Sequence, residues 1–377
     1  MTSCRQIAVG IGLVLLGPTV LTQATTCIAS ATEPSAAGSP VSAARALVSA
    51  DLAERGYPGV SVAVSVHGET VWSEGFGYAN LEHRVPMWPS TKFRVGSISK
   101  PMTAAAVAML VEDGRLDLDL PVQYYVPSFP VKEYPITTRH LGGHLSGIRH
   151  YRGNENFIRD PYASVHDALS IFKDDQLLHE PGTAYSYTSF GFNLISAVIE
   201  GAAGQPFLDY LNDAVLDPIG MRDTTADFIT KIIPQRTSYY MRDDAGNVVN
   251  APFVNNSYKW AGGGLLSTTE DVLRFANAHL SDNFLSDAAL DLLFTEQKTV
   301  EGKGVGYGFG WSIQSDDDGR LLLGHSGGSV GGTSLMLIQP DTRVVIVGLI
   351  NMTGAKNRVL REVLQIFVEA VEASDRW

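Results

Sequence analysis

The chain has 377 residues, 45% of them hydrophobic and 18% charged, with a formal net charge of −12. This is the composition of a globular protein with enough apolar material for a large core, and it excludes a disordered chain. No dense Lys/Arg run occurs, so nucleic acid and anionic membrane surfaces, which require a basic footprint, are poor candidate partners.

The first thirty residues differ from the rest. Arg5 is their only charge, an apolar run from Ile7 to Leu16 follows it, and Ala29-Ser30-Ala31 has the small-x-small pattern that a signal peptidase reads. The expectation is an export signal over residues 1–31, cleaved near Ala31, giving a periplasmic or secreted protein. An uncleaved anchor or a mitochondrial presequence is the alternative, although a presequence should carry several arginines. The apolar run is too short and too interrupted for a stable membrane span. Both cysteines, Cys4 and Cys27, lie in this segment, so cleavage would leave no thiol for a disulfide, a zinc site or a nucleophile. Residues 32–40, rich in Ser, Ala, Pro and Gly, read as a flexible linker.

A helix is expected from Val41 to Arg55, ended by Gly56-Tyr57-Pro58-Gly59. Val60 to Val66 alternates small polar with β-branched residues, and His67-Gly68-Glu69 turns it into a second strand, Thr70 to Gly75. Ile98 to Glu112 reads as a nearly uncharged helix, buried on all sides, with Pro101 tolerated in its first turn. From Ile136 to Asn250 helical patterns alternate with loops. Leu321 to Leu323, Ser334 to Ile338 and Val344 to Ile350 then read as strands, and a helix from Lys356 to Ala373 closes the chain. Strands near both ends predict an α/β (α+β) fold: an antiparallel sheet flanked by helices, built from residues 41–135 and 256–377, with a helical part at 136–255 inserted.

The sharpest local signal is Phe93-Arg94-Val95-Gly96-Ser97-Ile98-Ser99-Lys100-Pro101. Ser97 stands at the threshold of the buried helix, and Lys100, three residues on, shares its face. A serine hydroxyl is a poor nucleophile until its proton is removed. A lysine can remove it if burial or positive potential lowers the amine's own pKa. The spacing alone is equally compatible with Ser97 being a helix cap.

The stretch F-R-V-G-S-I-S-K-P resembles the active-site serine segment of the class C β-lactamase and penicillin-binding-protein family, which includes D-Ala-D-Ala carboxypeptidases, esterases and aminopeptidases. Further segments are similar in the same order: Thr138 to Ile148 (T-R-H-L-G-G-H-L-S-G-I), Pro181-Gly182-Thr183 leading into Tyr187, Gly262 to Thr268, Tyr307 to Trp311 and Gly324 to Gly328. The run from His144 to Tyr151 resembles the mitochondrial β-lactamase-like serine protease branch and its bacterial relatives in particular.

The resemblance implies Ser97 as the acylated nucleophile and Lys100 as its activating partner. It implies Tyr187, on the tyrosine of the family's Y-x-N motif, as proton shuttle, with a phenol pKa lowered by the lysine. It places His325, Ser326 and Gly327 where relatives carry K-T-G on an edge strand, with the N–H groups of Ser97 and Gly328 forming the oxyanion hole. No metal or organic cofactor is implied, and the partner is a small-molecule or peptide substrate. Oligomeric state is not legible.

Two departures bear on substrate. Ser189 replaces the Asn of Y-x-N, and His325, a group only partly charged near neutral pH, replaces the Lys of K-T-G. Both point to peptidase, carboxypeptidase-like or esterase specificity over efficient β-lactam hydrolysis. A non-catalytic peptidoglycan-binding or assembly protein is the rival reading. Gly324 to Gly328 also fits the G-x-S-x-G elbow, which would make Ser326 the nucleophile but requires a helix after it. Tyr185 could exchange roles with Tyr187, and His140 and His144 read as structural.

Overall fold

The computed structural model describes residues 38–373. The expected export signal, both cysteines and the first part of the expected linker lie outside the described residues. Helix α1 (Pro40–Arg55) starts where Ser39 accepts a hydrogen bond from the Ser42 amide and stops at Gly56 in the left-handed conformation. Strands β1 (Gly59–Val66), β2 (Glu69–Asn80) and the short β3 (Val85–Pro86) follow. Then β4 (Phe93–Arg94) leads through a 3-10 turn, Gly96–Ile98, into α2 (Ser99–Glu112).

The middle of the chain carries α3 (Thr138–Gly142), α4 (Val165–Ala168), α5 (Ser189–Ala203), α6 (Phe207–Leu211), β5 (Thr225–Ala226) and the hairpin β6 (Tyr240–Arg242)/β7 (Val248–Asn250). It continues through α7 (Trp260–Gly263), β8 (Leu265–Ser267), α8 (Thr269–Ala278) and α9 (Asp287–Phe294). The last elements are β9 (Ser312–Ser315), β10 (Leu321–Ser329), β11 (Gly332–Gln339), β12 (Val344–Ile350) and α10 (Arg358–Glu372).

The main sheet has seven strands in the order β3-β2-β1-β12-β11-β10-β9, every neighbour antiparallel. The two ends of the fold meet where β1 pairs with β12, from Val60 opposite Ile350 to Val66 opposite Val344. Alternation along these strands sorts side chains to two faces. Val60, Val62, Val64, Val344 and Ile346 pack with Ala44 and Val48 of α1 and Leu360, Val363 and Phe367 of α10. Val345, Val347 and Leu349 enter the larger core with α2, α5 and α8. The small polar phase of β1 is buried too, because Ser61 meets Thr269 Oγ1 at 3.0 Å and Ser65 donates to Asn277 Oδ1 at 2.9 Å, both on α8. What reads as a half-exposed strand is therefore covered on both faces.

Two strands run further than their sequence suggests. β2 continues five residues past Gly75, a glycine required there because a Cβ would fall 2.4 Å from the Met87 carbonyl oxygen. β10 runs on through Gly324-His325-Ser326-Gly327-Gly328 and pairs with β11 after a tight turn. Ser326 is thus inside a strand with no helix after it, which removes the nucleophile-elbow reading. Helix α2 is buried along nearly its whole length, as its uncharged sequence predicts.

Candidate active site

The strand β4 pairs with β8, Phe93 opposite Ser267 and Arg94 opposite Leu266, which fixes the chain just before Ser97. Gly96 then takes a positive φ of 53°, and a Cβ there would lie 2.8 Å from the Gly328 nitrogen. Only glycine lets the serine turn press backbone to backbone against β10. Arg94 is anchored in turn. It donates to Asp227 Oδ2 (2.7 Å) and to the Val330 carbonyl (2.7 Å), and its guanidinium lies 3.8 Å from the centre of the Tyr239 ring. Asp227, fully buried, also takes hydrogen bonds from Arg236 and Asn256.

Ser97 is half-buried at the mouth of α2, and Lys100, one turn in, has no exposure at all. The Lys100 Nζ donates to Ser97 Oγ at 3.0 Å, to Ser189 Oγ at 2.9 Å and to the Gly262 carbonyl at 2.6 Å. Burial pushes its pKa well below that of an ordinary lysine, and the nearby positive charge of Lys259 adds to the effect. Once it has lost its extra proton, the amine keeps two hydrogens for Ser189 Oγ and the Gly262 carbonyl and turns its lone pair to the Ser97 hydroxyl.

Tyr187 reaches Ser97 from the other side, its hydroxyl donating to Ser97 Oγ at 2.9 Å. Thr188 caps α5 through the Gly191 amide, which places Tyr187 just before the helix and Ser189 as its first residue. Tyr185 lines the same cleft but is partly exposed, so the structure brings Tyr187, not Tyr185, to the serine. The expectation of a lowered Tyr187 pKa is corrected. Burial raises it, and the hydrogen bond to Ser97 only partly opposes that. Lys100 sits over the ring, 4.9 Å from its centre, with no hydrogen bond to the phenol oxygen, so the cation does little for a phenolate.

His325 is buried on β10. Its Nδ1 donates to the Ser326 carbonyl at 2.5 Å, which leaves Nε2 to accept from the Tyr307 hydroxyl at 2.9 Å. Burial holds its pKa down to about 3, with Lys100 pushing the same way and the Ser326 carbonyl opposing. The expectation of a partial charge near neutral pH is therefore corrected: this imidazole is neutral. Because β9 pairs only with Leu321 to Gly324, the segment from His325 to Ser329 has β11 on one side and an open edge on the other. Ser326 and Gly328 lie on that edge and line the cleft with Ser97, Tyr187 and Ser189.

The cleft has a volume of about 660 Å³. Sequence reasoning assigned no role to several of its walls. His150 accepts from the Ser189 amide through Nδ1 (3.1 Å) and packs against Tyr151, with ring centres 4.4 Å apart and the planes tilted by 31°. Tyr307 holds His325, and Lys259 is a buried lysine on the cleft wall. His150 and Tyr307 stand in segments that the family resemblance covers. Lys259 carried no signal, since nothing in Asn256-Ser257-Tyr258-Lys259-Trp260 marks it as buried. Of the two histidines read as structural, His140 is the N3 residue of a capping box at the start of α3, its ring accepting from the Thr137 amide. His144 is buried, accepts from the Thr188 amide at 3.2 Å and packs against the rings of Tyr187 and Tyr307.

Chemically, the arrangement offers one hydroxyl flanked by a buried amine of lowered pKa and a neutral phenol, with backbone of the serine turn and β10 in contact beside it. Among the described residues no helix is long and apolar enough to cross a membrane.

Comparison with known proteins gives a consistent picture. The family model described as Beta-lactamase matches residues 44–368. The chain is 33% identical to the human mitochondrial serine β-lactamase-like protein LACTB, over 76% of this chain and 70% of that protein. It is 28% identical to penicillin-binding protein 4* of Bacillus subtilis, over 75% and 66% of the two chains. Among solved structures, the octameric penicillin-binding protein homologue from Pyrococcus abyssi superposes with a TM-score of 0.77 at 28% identity, covering 87% of this chain and 77% of that one. A D-stereospecific amidohydrolase from Streptomyces superposes with a TM-score of 0.74 at 25% identity, covering 85% and 97%.

Proposed function

Because the chain belongs to the β-lactamase family of serine hydrolases, we propose that it cleaves amide or ester bonds through an acyl-enzyme on Ser97, with peptidase or esterase rather than β-lactamase specificity. The observation that carries the reading is the double contact of Ser97 Oγ, with Lys100 Nζ at 3.0 Å and the Tyr187 hydroxyl at 2.9 Å.

In the first step the neutral Lys100 amine takes the serine proton as Oγ attacks the carbonyl carbon. The negative charge that develops on the carbonyl oxygen is stabilised by the N–H groups of Ser97 and Gly328. Tyr187, still a phenol, hands its proton to the departing group and takes in return the proton that Lys100 removed from Ser97, so both groups end the step as they began. Water then repeats the sequence on the acyl-enzyme with the proton traffic reversed. Ser189 keeps the Lys100 amine aimed at Ser97 by accepting one of its hydrogens.

Substrate preference follows from what β10 lacks. With His325 neutral, no cation stands at the K-T-G position to hold the carboxylate of a penicillin. Similarity to a D-stereospecific amidohydrolase supports D-amino-acid amides and peptides as the first substrates to try. The expected result is turnover of such amides or of simple esters, abolished by Ser97→Ala without loss of folding. Catalytic efficiency on benzylpenicillin at the level of a dedicated β-lactamase would overturn the specificity, and activity retained in Ser97→Ala would overturn the mechanism. Residues 1–31 are read as an export signal, so protein recovered outside the cytoplasm should begin at Thr32; an intact Met1 end there would contradict that.

A further inference from the structure

Lys259 ends the 3-10 turn Ser257–Lys259 and is only 4% exposed. Taking an ammonium out of water costs several kcal/mol unless partners replace the lost hydration. The other buried lysine of the cleft, Lys100, has three oxygen partners. Among the described residues, Lys259 Nζ makes no hydrogen bond and no ion pair. Its neighbours are ring faces, with Tyr258 centred 5.2 Å away and Tyr151 5.8 Å away.

Asp227, the carboxylate that acts on it, and Glu155, close to Tyr151 and Tyr258, are already engaged. Asp227 receives Arg94, Arg236 and Asn256. Glu155 receives both terminal nitrogens of Arg149 and the Arg152 amide. No aspartate or glutamate lines the cleft, in a protein whose net charge is −12. The one lysine on that lining thus faces a cavity with no counter-ion of its own, and burial, with Arg94 adding to it and Asp227 opposing, draws its pKa down to about 7.

We propose that Lys259 is the seat for a carboxylate of the substrate, the cation of this cleft having its place on the wall with Tyr151 and Tyr258 instead of on β10. The inference rests on the reading of this cleft as the active site, and it makes Lys259 a specificity-determining residue. A bound carboxylate gains a charge-assisted hydrogen bond to an amine that is itself only 4% exposed, which is worth more than the same bond at a surface. The aromatic walls, Tyr151, Phe157, Tyr185 and Tyr307, suit an anion attached to an apolar body.

The test is calorimetric titration of Ser97→Ala protein with 3-phenylpropionate and with its uncharged amide, 3-phenylpropionamide. The carboxylate is expected to bind at least tenfold more tightly, Lys259→Met to erase that preference, and Lys259→Arg to retain most of it. Equal binding of the two probes, no detectable binding of the carboxylate, or an undiminished preference in Lys259→Met would each overturn the proposal. If Lys259→Met fails to fold, the comparison of the two probes on the Lys259 protein still decides. Because Ser97 is absent from the titrated protein, a negative result leaves the acyl-enzyme mechanism standing. A failure of Ser97 to become acylated would likewise leave the binding result untouched.

Discussion

At the scale of single residues, the proposed mechanism turns on the state of Lys100. Its pKa is lowered first by burial and then by Lys259, so the neutral base exists at pH values where an exposed lysine is fully protonated. The rate should rise with pH as Lys100 loses its proton and reach its plateau well below the ordinary lysine value of 10.5. A pH profile of kcat/KM that rises only near 10.5 would contradict this. Replacing Lys100 with arginine, which cannot release its proton, should cost about 10²- to 10⁴-fold in kcat. Ser97 and Lys100 were legible because three residues on a helix bring two side chains together, a relation local to the chain. Tyr187 was legible only through the resemblance, since its contact with Ser97 spans ninety positions. Lys259 was not legible at all: burial of a lone lysine is decided by the elements packed around it.

At the scale of elements, the serine turn depends on a buried ionic knot. Asp227, after β5, ties Arg94 of β4 to Arg236 and to Asn256 before α7, and Arg94 ties β4 to the carbonyl that follows β10. Asp227→Ala would leave Arg94 buried without its counter-ion, so a loss of about 3–5 kcal/mol in unfolding free energy is expected by chemical denaturation. A loss under about 1 kcal/mol would mean that the knot does not hold the turn. Helix α2 and strand β12 could be read from sequence because α2 carries no charge between Lys100 and Glu112 and β12 is apolar along its whole length. The far half of β10 was legible only through the resemblance, since glycine and histidine in Gly324 to Gly328 are weak strand formers; their place comes from pairing with β11.

At the scale of the molecule, the fold closes through β1 and β12, and α8 covers the sheet face that sequence alternation would have left to water. The same dense packing has a pH consequence. His144, His279 and His325 are buried, and burial lowers the pKa of each, to about 4 for His279 and about 3 for His325. The unfolded chain binds these protons near pH 6.5 while the folded one refuses them, so stability must fall as pH drops below about 6.5. Each such group adds up to about 1.4 kcal/mol per pH unit between its unfolded and folded values. Denaturant midpoints at pH 7.5 and pH 5 should show the loss; equal midpoints would contradict it.

The central claim is that Ser97 is the activated nucleophile, and it is tested most directly by treating the folded protein with a fluorophosphonate, weighing it intact and mapping the modified peptide. A single adduct on Ser97, lost in Ser97→Ala and suppressed in the Lys100 variant, is the predicted result. An adduct on another serine, or a folded protein that takes up none, would contradict it.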